Sequence, residues 1–347
     1  MKLQFVDRVQ EGDALSRVRS DPNERHKYSE WHHFNLNDDA NGVYAIFNLA
    51  LSGNIRDADQ ARVGVSLVVY ERGRGWRGSM NLYPLEDTRF AADTIDLTIG
   101  TNSVKYRKDR YVVSGALKDG SVVLNATWTP ETSALRVDSI GGVVNTFILP
   151  RLRVNGTLCV RGRKYHIEKA TGYHDHNWGY WNWGEALSWN WGYIIQAPSA
   201  RTNGQPPVSL VFGQVTNGAN GRTKSDFALA VWDGDRCAQI FLDDAVRITT
   251  AGMLTGVTVP RVPGVMAFLE PGQGVAIPRH VNIQARDGDD WIEIDMDVNG
   301  AMQFLVPRSL GVGSTTISEL VGEYSVRTML RGYSREFSYN GFAEIAR

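Results

Sequence analysis

Short runs of alternating hydrophobic and polar residues recur along the chain, and long helical periodicity is nearly absent. The clearest runs are rich in β-branched and aromatic residues and lie at 43–51, 63–73, 110–128 and 291–298. Such runs are typical of strands. Turn residues in LKDGS (within 113–123) and RDGDD (within 283–292) favour hairpins. Strands that recur about every 8–12 residues indicate sandwiches or barrels rather than a parallel α/β sheet, so the chain is predicted to be all-β.

Few segments interrupt this strand pattern. ISELVGEY (317–324) and EALSW (185–189) are predicted to be short helices. The segments 216–226 and 198–207 are each predicted to be a hairpin loop or a surface excursion. In 291–298 the acids Glu293, Asp295 and Asp297 alternate with apolar residues. Strict alternation predicts a solvated sheet face rather than a calcium loop.

Length predicts two domains, because 347 residues exceed the size at which single cores usually stop growing. Strand spacing restarts after an aromatic segment, which places the domains at 1–185 and 186–347, with a break near 153 as the alternative. The net charge is −1 and the basic residues are scattered. No nucleic-acid partner is therefore predicted.

The N-terminal segment is interrupted by charges and lacks the apolar run of a signal peptide. No window approaches the roughly 20 apolar residues of a membrane span. Cys159 and Cys237 are the only cysteines, too few for a disulfide framework. A cytoplasmic location is predicted, and a peripheral membrane contact is left open.

The segment GYHDHNWGYWNWGEALSWNWGY (172–193) stands apart in composition. It holds five of the ten tryptophans and contains WNWG twice. If it is extended, Tyr173, Asp175 and Asn177 share one face, and His174, His176 and Trp178 share the other. Gly172 and Gly179 are suited to bends where other backbone comes close.

Several chemistries can be weighed at these residues. His174 and His176 have the spacing of two zinc or iron ligands on a strand, but no carboxylate follows at three or four residues. A remote third ligand stays open, the candidates being His32, His33, His166 and His280. The sequence also lacks a G-x-S-x-G elbow and the phosphate-binding glycine patterns. No metal and no cofactor are predicted.

The combination of one acid with many indoles suggests acid catalysis instead of metal or hydrolase chemistry. The simpler alternative is that the tryptophans only pack against other residues. A carboxyl walled in by apolar rings has its pKa raised, because its charged form loses solvation. It can then protonate an electron-rich double bond. Aromatic faces stabilise the resulting carbocation by about 0.5–2 kcal/mol per ring. An isoprenoid-type substrate follows from this pattern.

GYHDHNWG resembles the Asp-His-x-x-Gly signature of the carotenoid 1,2-hydratase and AttH-like lipocalin superfamily, to which tocopherol cyclase and lipocalin-like Diels–Alderases are distantly similar. SEWHHFNL (29–36), 95–130 and 154–179 resemble further stretches of that family. The resemblance implies two lipocalin-like antiparallel β-barrel domains packed together around an apolar pocket, with Asp175 as the acid. His32 and His33 replace the usual aromatic residues, which favours an oxygenated isoprenoid or polyketide-like substrate.

The leading hypothesis is a cofactor-independent hydration or cyclisation in which Asp175 donates the proton. His176 or His174 orients the acid or relays the proton, and Tyr173 hydrogen-bonds it. The predicted substrate-binding residues are Trp178, Trp181, Trp189, Trp191, Trp31 and His33. The alternatives are a Diels–Alderase-like pericyclase and a carrier that stores a lipid or isoprenoid unchanged.

Overall fold

The computed structural model describes residues 1–6, 9–14, 25–91, 94–184, 187–196, 205–218, 223–263, 276–308 and 314–347. The chain forms two compact units, Met1–Asn182 and Trp183–Arg347. Residues 185 and 186, where the sequence places the domain boundary, lie outside the described residues, so that boundary stays a prediction. Position 153 lies inside a continuous strand.

Within the described residues, the first unit is a 13-stranded antiparallel sheet with a short α-helix and short 3-10 turns. The strand order is β5-β4-β3-β2-β13-β12-β10-β9-β8-β7-β6, and β11 joins β12 to β1. The elements are β1 (Lys2–Val6), α1 (Val9–Asp13), β2 (Tyr28–Asp38), β3 (Val43–Gly53), β4 (Ala61–Glu71), β5 (Gly75–Tyr83), β6 (Thr88–Phe90), β7 (Asp96–Ile99), β8 (Asn102–Arg107), β9 (Arg110–Ala116), β10 (Val122–Pro130), β11 (Ala134–Ile140), β12 (Val144–Val160) and β13 (Arg163–Tyr180).

This sheet curls into a nearly closed barrel. Lys118, just after β9, donates from its backbone to Asn81 Oδ1 at 2.8 Å and from Nζ to the Leu82 carbonyl at 2.7 Å, both on β5. Every second residue along the strands faces inward, and these residues form one apolar cluster. Phe34, Phe47 and Trp128 are fully buried in it. Closure therefore gives β2 and β13, in the middle of the sheet, an interior face and an exterior face.

The second unit is a ten-stranded sheet with the order β17-β16-β15-β14-β23-β22-β21-β20-β18, and β19 pairs in parallel with β21. Arg331 Nη2 donates to the Ala238 carbonyl at 2.6 Å and links the β22–β23 turn to β17. The strands are β14 (Leu187–Ile195), β15 (Val208–Asn217), β16 (Lys224–Asp233), β17 (Arg236–Leu242), β18 (Val246–Ala251), β19 (Arg261–Val262), β20 (His280–Asp287), β21 (Asp290–Pro307), β22 (Ser314–Leu330) and β23 (Tyr333–Ala346).

The predicted all-β class and the two lipocalin-like barrels are confirmed. Both predicted hairpins form, as β9–β10 and β20–β21. On β21, Ile292, Ile294, Met296 and Val298 are buried, and Glu293 pairs with Arg327, so the acidic run is a solvated sheet face as predicted.

The helix prediction for 317–324 is wrong, because these residues belong to β22. That half of β22 is buried on both faces, which removes the alternation by which a strand is recognised. The helix predicted at 185–189 is also wrong for residues 187–189, which begin β14. Strands β15 and β16 pair on either side of the loop predicted at 216–226, but residues 216–217 and 224–226 belong to these strands. Residues 197–204 and 219–222 lie outside the described residues.

Within the described ranges, no helix has the length and apolar character needed to cross a membrane. Cys159 and Cys237 are both free thiols.

Candidate functional site

Strand β13 carries the HDH sequence and lies between β2 and β12. Its register with β2 sets Asp175 opposite His33 and His176 opposite His32. The predicted division of faces is confirmed, with His174, His176 and Trp178 on the interior face and Tyr173, Asp175 and Asn177 on the exterior face. The glycine prediction holds in part: a Cβ on Gly179 would lie 2.0 Å from the Val143 carbonyl oxygen, but at Gly172 the nearest atom belongs to the Trp128 side chain.

The interior face is a ladder of aromatic and imidazole rings. His174 stacks on Phe34 with 4.0 Å between ring centroids, and His32 stacks on His176 at 4.1 Å. Trp178 continues the ladder 4.8 Å from His176. All three histidines are fully buried. The barrel thus encloses a column of polar rings within an apolar core.

Asp13, at the end of helix α1, reaches into this column from the N-terminal segment. Its Oδ2 accepts hydrogen bonds from the Tyr111 hydroxyl at 2.6 Å and from His174 Nε2 at 3.0 Å. Its Oδ1 lies 3.0 Å from His176 Nδ1 and 3.8 Å from His32 Nδ1. The carboxylate therefore contacts all three histidines.

Glu30 supplies the second buried acid. Its Oε1 lies 2.7 Å from His176 Nε2, and its Oε2 accepts a hydrogen bond from the Tyr28 hydroxyl. We call Asp13, Glu30, His32, His174 and His176 the interior cluster. Both ring nitrogens of His176 face carboxylates, an arrangement that favours the imidazolium.

Electrostatics divide the interior cluster into charged and neutral members. Burial lowers the pKa of His176, but its bonds and attraction to Asp13 and Glu30 outweigh this and raise the pKa to about 9. Burial lowers the pKa of His32 well below its usual range, and repulsion from His176 adds to this. Burial raises the pKa of Asp13, yet attraction to His174 and His32 and the histidine hydrogen bonds bring it far below its usual range.

The exterior face centres on Asp175. Its Oδ2 accepts a hydrogen bond from the Tyr173 hydroxyl at 2.9 Å, and its Oδ1 accepts one from Asn177 Nδ2 at 2.5 Å. The residue is only 5% exposed. We call Tyr173, Asp175, Asn177 and the facing His33 the exterior cluster. The predicted contact between Tyr173 and Asp175 is present.

His33 is neutral at physiological pH. Burial, followed by repulsion from His174, lowers its pKa to about 3, although a hydrogen bond with Asn35 opposes the shift. Trp31 lies on the same face of β2, opposite Asn177, and meets the Trp181 ring edge-on at 5.7 Å. Two indoles therefore stand beside the exterior cluster.

The remaining predicted residues lie elsewhere. His174, His176 and Trp178 point into the barrel, away from the Asp175 face, and the Arg136 guanidinium lies 5.1 Å from the Trp178 ring. Trp189 and Trp191 belong to the second unit. The structure thus groups Asp175 with Tyr173, His33, Trp31 and Trp181, and their catalytic and binding roles stay predictions.

In the second unit, Trp189 donates its indole N–H to Glu344, and Trp191 pairs with Glu344 across β14 and β23. Loss of solvation raises the pKa of Glu344, although hydrogen bonds with Glu319 and Trp189 oppose the rise. The second WNWG repeat therefore has its own acid.

Two members of the interior cluster, Asp13 and Glu30, were not predicted. A signal for Glu30 exists in β2, where Glu30 and His32 fall in the alternation of Tyr28, Phe34 and Leu36. Polar residues at inward positions of a buried strand mark a polar cluster. Asp13 carries no such signal, because it lies 161 residues from His174 along the chain.

No family model and no curated protein matches this sequence. Among solved structures, the chain is similar to an AttH-like protein from Nitrosomonas europaea, with a TM-score of 0.61 and 13% identity over 96% of this chain and 97% of that one. It is also similar to kievitone hydratase from Nectria haematococca, with a TM-score of 0.58 and 13% identity over 96% and 93%.

CghA, crystallised with Sch210972, has a TM-score of 0.56 and 10% identity over 99% of this chain and 97% of that one. The predicted resemblance to AttH-like proteins is thus confirmed at the level of the fold. At these identities the similarity establishes the fold, and the reaction is a separate question.

Proposed function

We propose that this protein is a cofactor-independent enzyme that protonates a carbon–carbon double bond of a small, apolar, isoprenoid-type substrate, with Asp175 as proton donor. The observation that carries the proposal is the buried Asp175 carboxyl, held by Tyr173 and Asn177 on a face that also presents His33 and two indoles. Kievitone hydratase, a hydratase of the same fold, supports hydration as one outcome.

The proposed reaction needs no redox step. Asp175 transfers its proton to one alkene carbon, and the other carbon becomes a cation. A water molecule, or a hydroxyl of the substrate, bonds to that cation. The proton lost by the attacking oxygen returns to the Asp175 carboxylate, so the acid is regenerated and the net change is addition of water or ring closure.

The neighbours of Asp175 have distinct proposed roles. Tyr173 and Asn177 hold the carboxyl in one orientation and stabilise the carboxylate that forms after proton transfer. His33, being neutral, can accept a hydrogen bond from the attacking water without adding positive charge beside the cation. Trp31 and Trp181 can attract the cation through their ring faces.

The finer features predicted from the sequence belong to the same proposal. They are a substrate that also carries oxygen, the 1–185 and 186–347 domain division, and a cytoplasmic location. Binding roles for Trp189 and Trp191 also remain part of it. The predicted binding role of Trp178 and supporting role of His174 and His176 could be only indirect, because these residues lie on the face of β13 opposite to Asp175.

The test uses compounds with a trisubstituted double bond, both prenylated phenols and open-chain terpenoids, incubated with the full chain in D2O. Hydration adds the elements of D2O, and cyclisation adds one carbon-bound deuterium; mass spectrometry distinguishes the two. Asp175→Asn keeps the size of the side chain and is expected to lower turnover at least about 1000-fold, because the proton donor is lost. Asp295→Asn, on the solvated face of β21, is the matched control and should retain full turnover.

Full turnover by Asp175→Asn would show that Asp175 is not the proton donor. A loss of only about tenfold, without deuterium on carbon, would instead indicate a pericyclase that mainly folds its substrate. Binding of these compounds with no chemical change would indicate a carrier.

A further inference from the structure

We propose that Asp13, His32 and His176 form a binding site for a divalent transition-metal ion inside the first barrel. One carboxylate oxygen and one ring nitrogen from each histidine lie within 4.8 Å of one another, and all three residues are buried. Neither Asp13 Oδ1, His176 Nδ1 nor either nitrogen of His32 makes a well-directed hydrogen bond within the described residues. Buried polar atoms that converge without well-directed hydrogen bonds are candidate metal ligands.

The other atoms of these ligands are already held. Asp13 Oδ2 is bound by Tyr111 and His174, and His176 Nε2 is bound by Glu30. A histidine ligand whose second nitrogen contacts a carboxylate is the usual arrangement behind a metal, because that contact orients the ring and increases its basicity. These outer contacts leave Asp13 Oδ1 and His176 Nδ1 3.0 Å apart.

The donor set selects the class of ion. Two imidazoles and one carboxylate suit Zn²⁺ and its neighbours Co²⁺ and Fe²⁺, whereas Ca²⁺ and Mg²⁺ prefer oxygen ligands. Ligands about 2.0–2.1 Å from a tetrahedral ion lie about 3.4 Å from one another. The distances from Asp13 Oδ1, 3.0 Å to His176 and 3.8 Å to His32, bracket that value.

Binding requires one local movement. The His32 and His176 rings are nearly parallel, with 15° between their planes, so their in-plane lone pairs do not converge. His32 has no hydrogen bond on either nitrogen among the described residues, so no hydrogen bond has to break for its ring to rotate. Rotation of this ring toward Asp13 Oδ1 completes three-ligand coordination.

The ion would join three parts of the chain that are distant in sequence: α1, β2 and β13. Its role is therefore a cross-link that holds the N-terminal segment in the barrel. Because Asp175 lies on the other face of β13, this inference does not depend on the proposed reaction.

The experiment uses the full chain, stripped with a chelator and desalted. We expect about one equivalent of Zn²⁺ to remain bound after gel filtration, and Zn²⁺ in excess to raise the melting temperature by about 5–10 °C. Co²⁺ in place of Zn²⁺ should give the visible absorption of a tetrahedral site with nitrogen ligands. Absence of stoichiometric metal in the wild-type chain would overturn the proposal without recourse to variants.

Variants then assign the ligands. His32→Ala should weaken Zn²⁺ binding more than about 100-fold. Loss of a residue that only hydrogen-bonds a metal ligand already lowers the metal affinity about 10–100-fold. Glu30→Gln should weaken it by that smaller factor. His166→Ala removes an exposed histidine of β13, the strand that carries His176, and should bind like wild type. Wild-type affinity in His32→Ala, or equal losses in His32→Ala and His166→Ala, would contradict the site; His32→Gln replaces His32→Ala if the latter does not fold.

Discussion

The buried polar side chains on the two faces of strand β13 have different kinds of partners. On the interior face, His176 lies between the carboxylates of Asp13 and Glu30, so positive and negative charges are buried together. On the exterior face, Asp175 receives hydrogen bonds from neutral groups, Tyr173 and Asn177. Within the described residues, the interior face of the strand therefore holds an ion network, whereas on the exterior face the acid accepts hydrogen bonds from two uncharged side chains.

The difference has an energetic consequence. Members of a buried ion network depend on one another, since removal of one leaves the others charged and without compensation. Removal of an uncharged donor such as Tyr173 or Asn177 takes one hydrogen bond from Asp175 and leaves no partner with an uncompensated charge. Changes on the interior face should therefore affect mainly stability, and changes on the exterior face mainly chemistry.

The largest expected effect on stability follows removal of the central cation of the network. His176→Leu leaves Asp13 Oδ1 and Glu30 Oε1 buried beside an apolar side chain, and should lower the free energy of unfolding by about 3–5 kcal/mol, measured by urea denaturation of chelator-treated protein. Asn177→Ala, the next residue on the other face, should cost about 1–2 kcal/mol. Equal losses in the two variants would show that the faces do not differ in this way.

The free energy of unfolding should depend on pH in opposite directions for histidines on the two faces of β13. An unfolded histidine has a pKa near 6.5, whereas folded His176 has a pKa of about 9, so the folded state binds this proton more tightly. Its stabilisation is fully present below pH 6.5 and is lost as pH rises through 9, at up to about 1.4 kcal/mol per pH unit. Chelator-treated wild type should show this alkaline loss, and His176→Gln should not.

On the exterior face, His33 should make stability change with pH in the direction opposite to that expected for His176. Its folded pKa of about 3 lies below the unfolded value, so stability is present above pH 6.5 and falls as pH decreases toward 3. His33→Gln should keep the alkaline loss and reduce the acid loss. An alkaline loss that persists in His176→Gln would assign it to another group.

Smaller effects than that of His176→Leu are expected from a matched pair of tyrosines. Tyr111→Phe removes one donor from Asp13 and should lower the free energy of unfolding by about 2 kcal/mol with turnover unchanged. Tyr173→Phe removes one donor from Asp175 and should lower turnover about tenfold through looser placement of the acid. Denaturation and the deuterium assay on both variants measure this contrast, and a change of turnover in Tyr111→Phe alone would reverse the assignment of the faces.

Local pattern was sufficient for much of the fold. Alternation on β21 predicted which residues are buried, and alternation in the HDH segment predicted that Asp175 and Tyr173 share a face opposite to His174 and His176. The helix predicted at 317–324 failed where β22 is buried on both sides, because a strand without a solvated face has no alternating pattern.

The site was less accessible to sequence reasoning. Trp178 and Asp175 are three residues apart, but the strand pleat points them to opposite faces, so closeness in sequence did not bring the indole to the acid. Asp13 and Glu30 reach His174 and His176 across 161 and 146 residues. Such contacts depend on barrel closure and on the position of α1, which no local pattern records.

By itself, the sequence determined the all-β class, the strand alternation and the faces of the HDH segment, because these follow from side-chain periodicity along an extended backbone. Only the tertiary structure decided which acids meet which histidines and which indoles stand beside Asp175. The physical reason is that buried charges select partners by position in space, and closure of the sheet sets those positions.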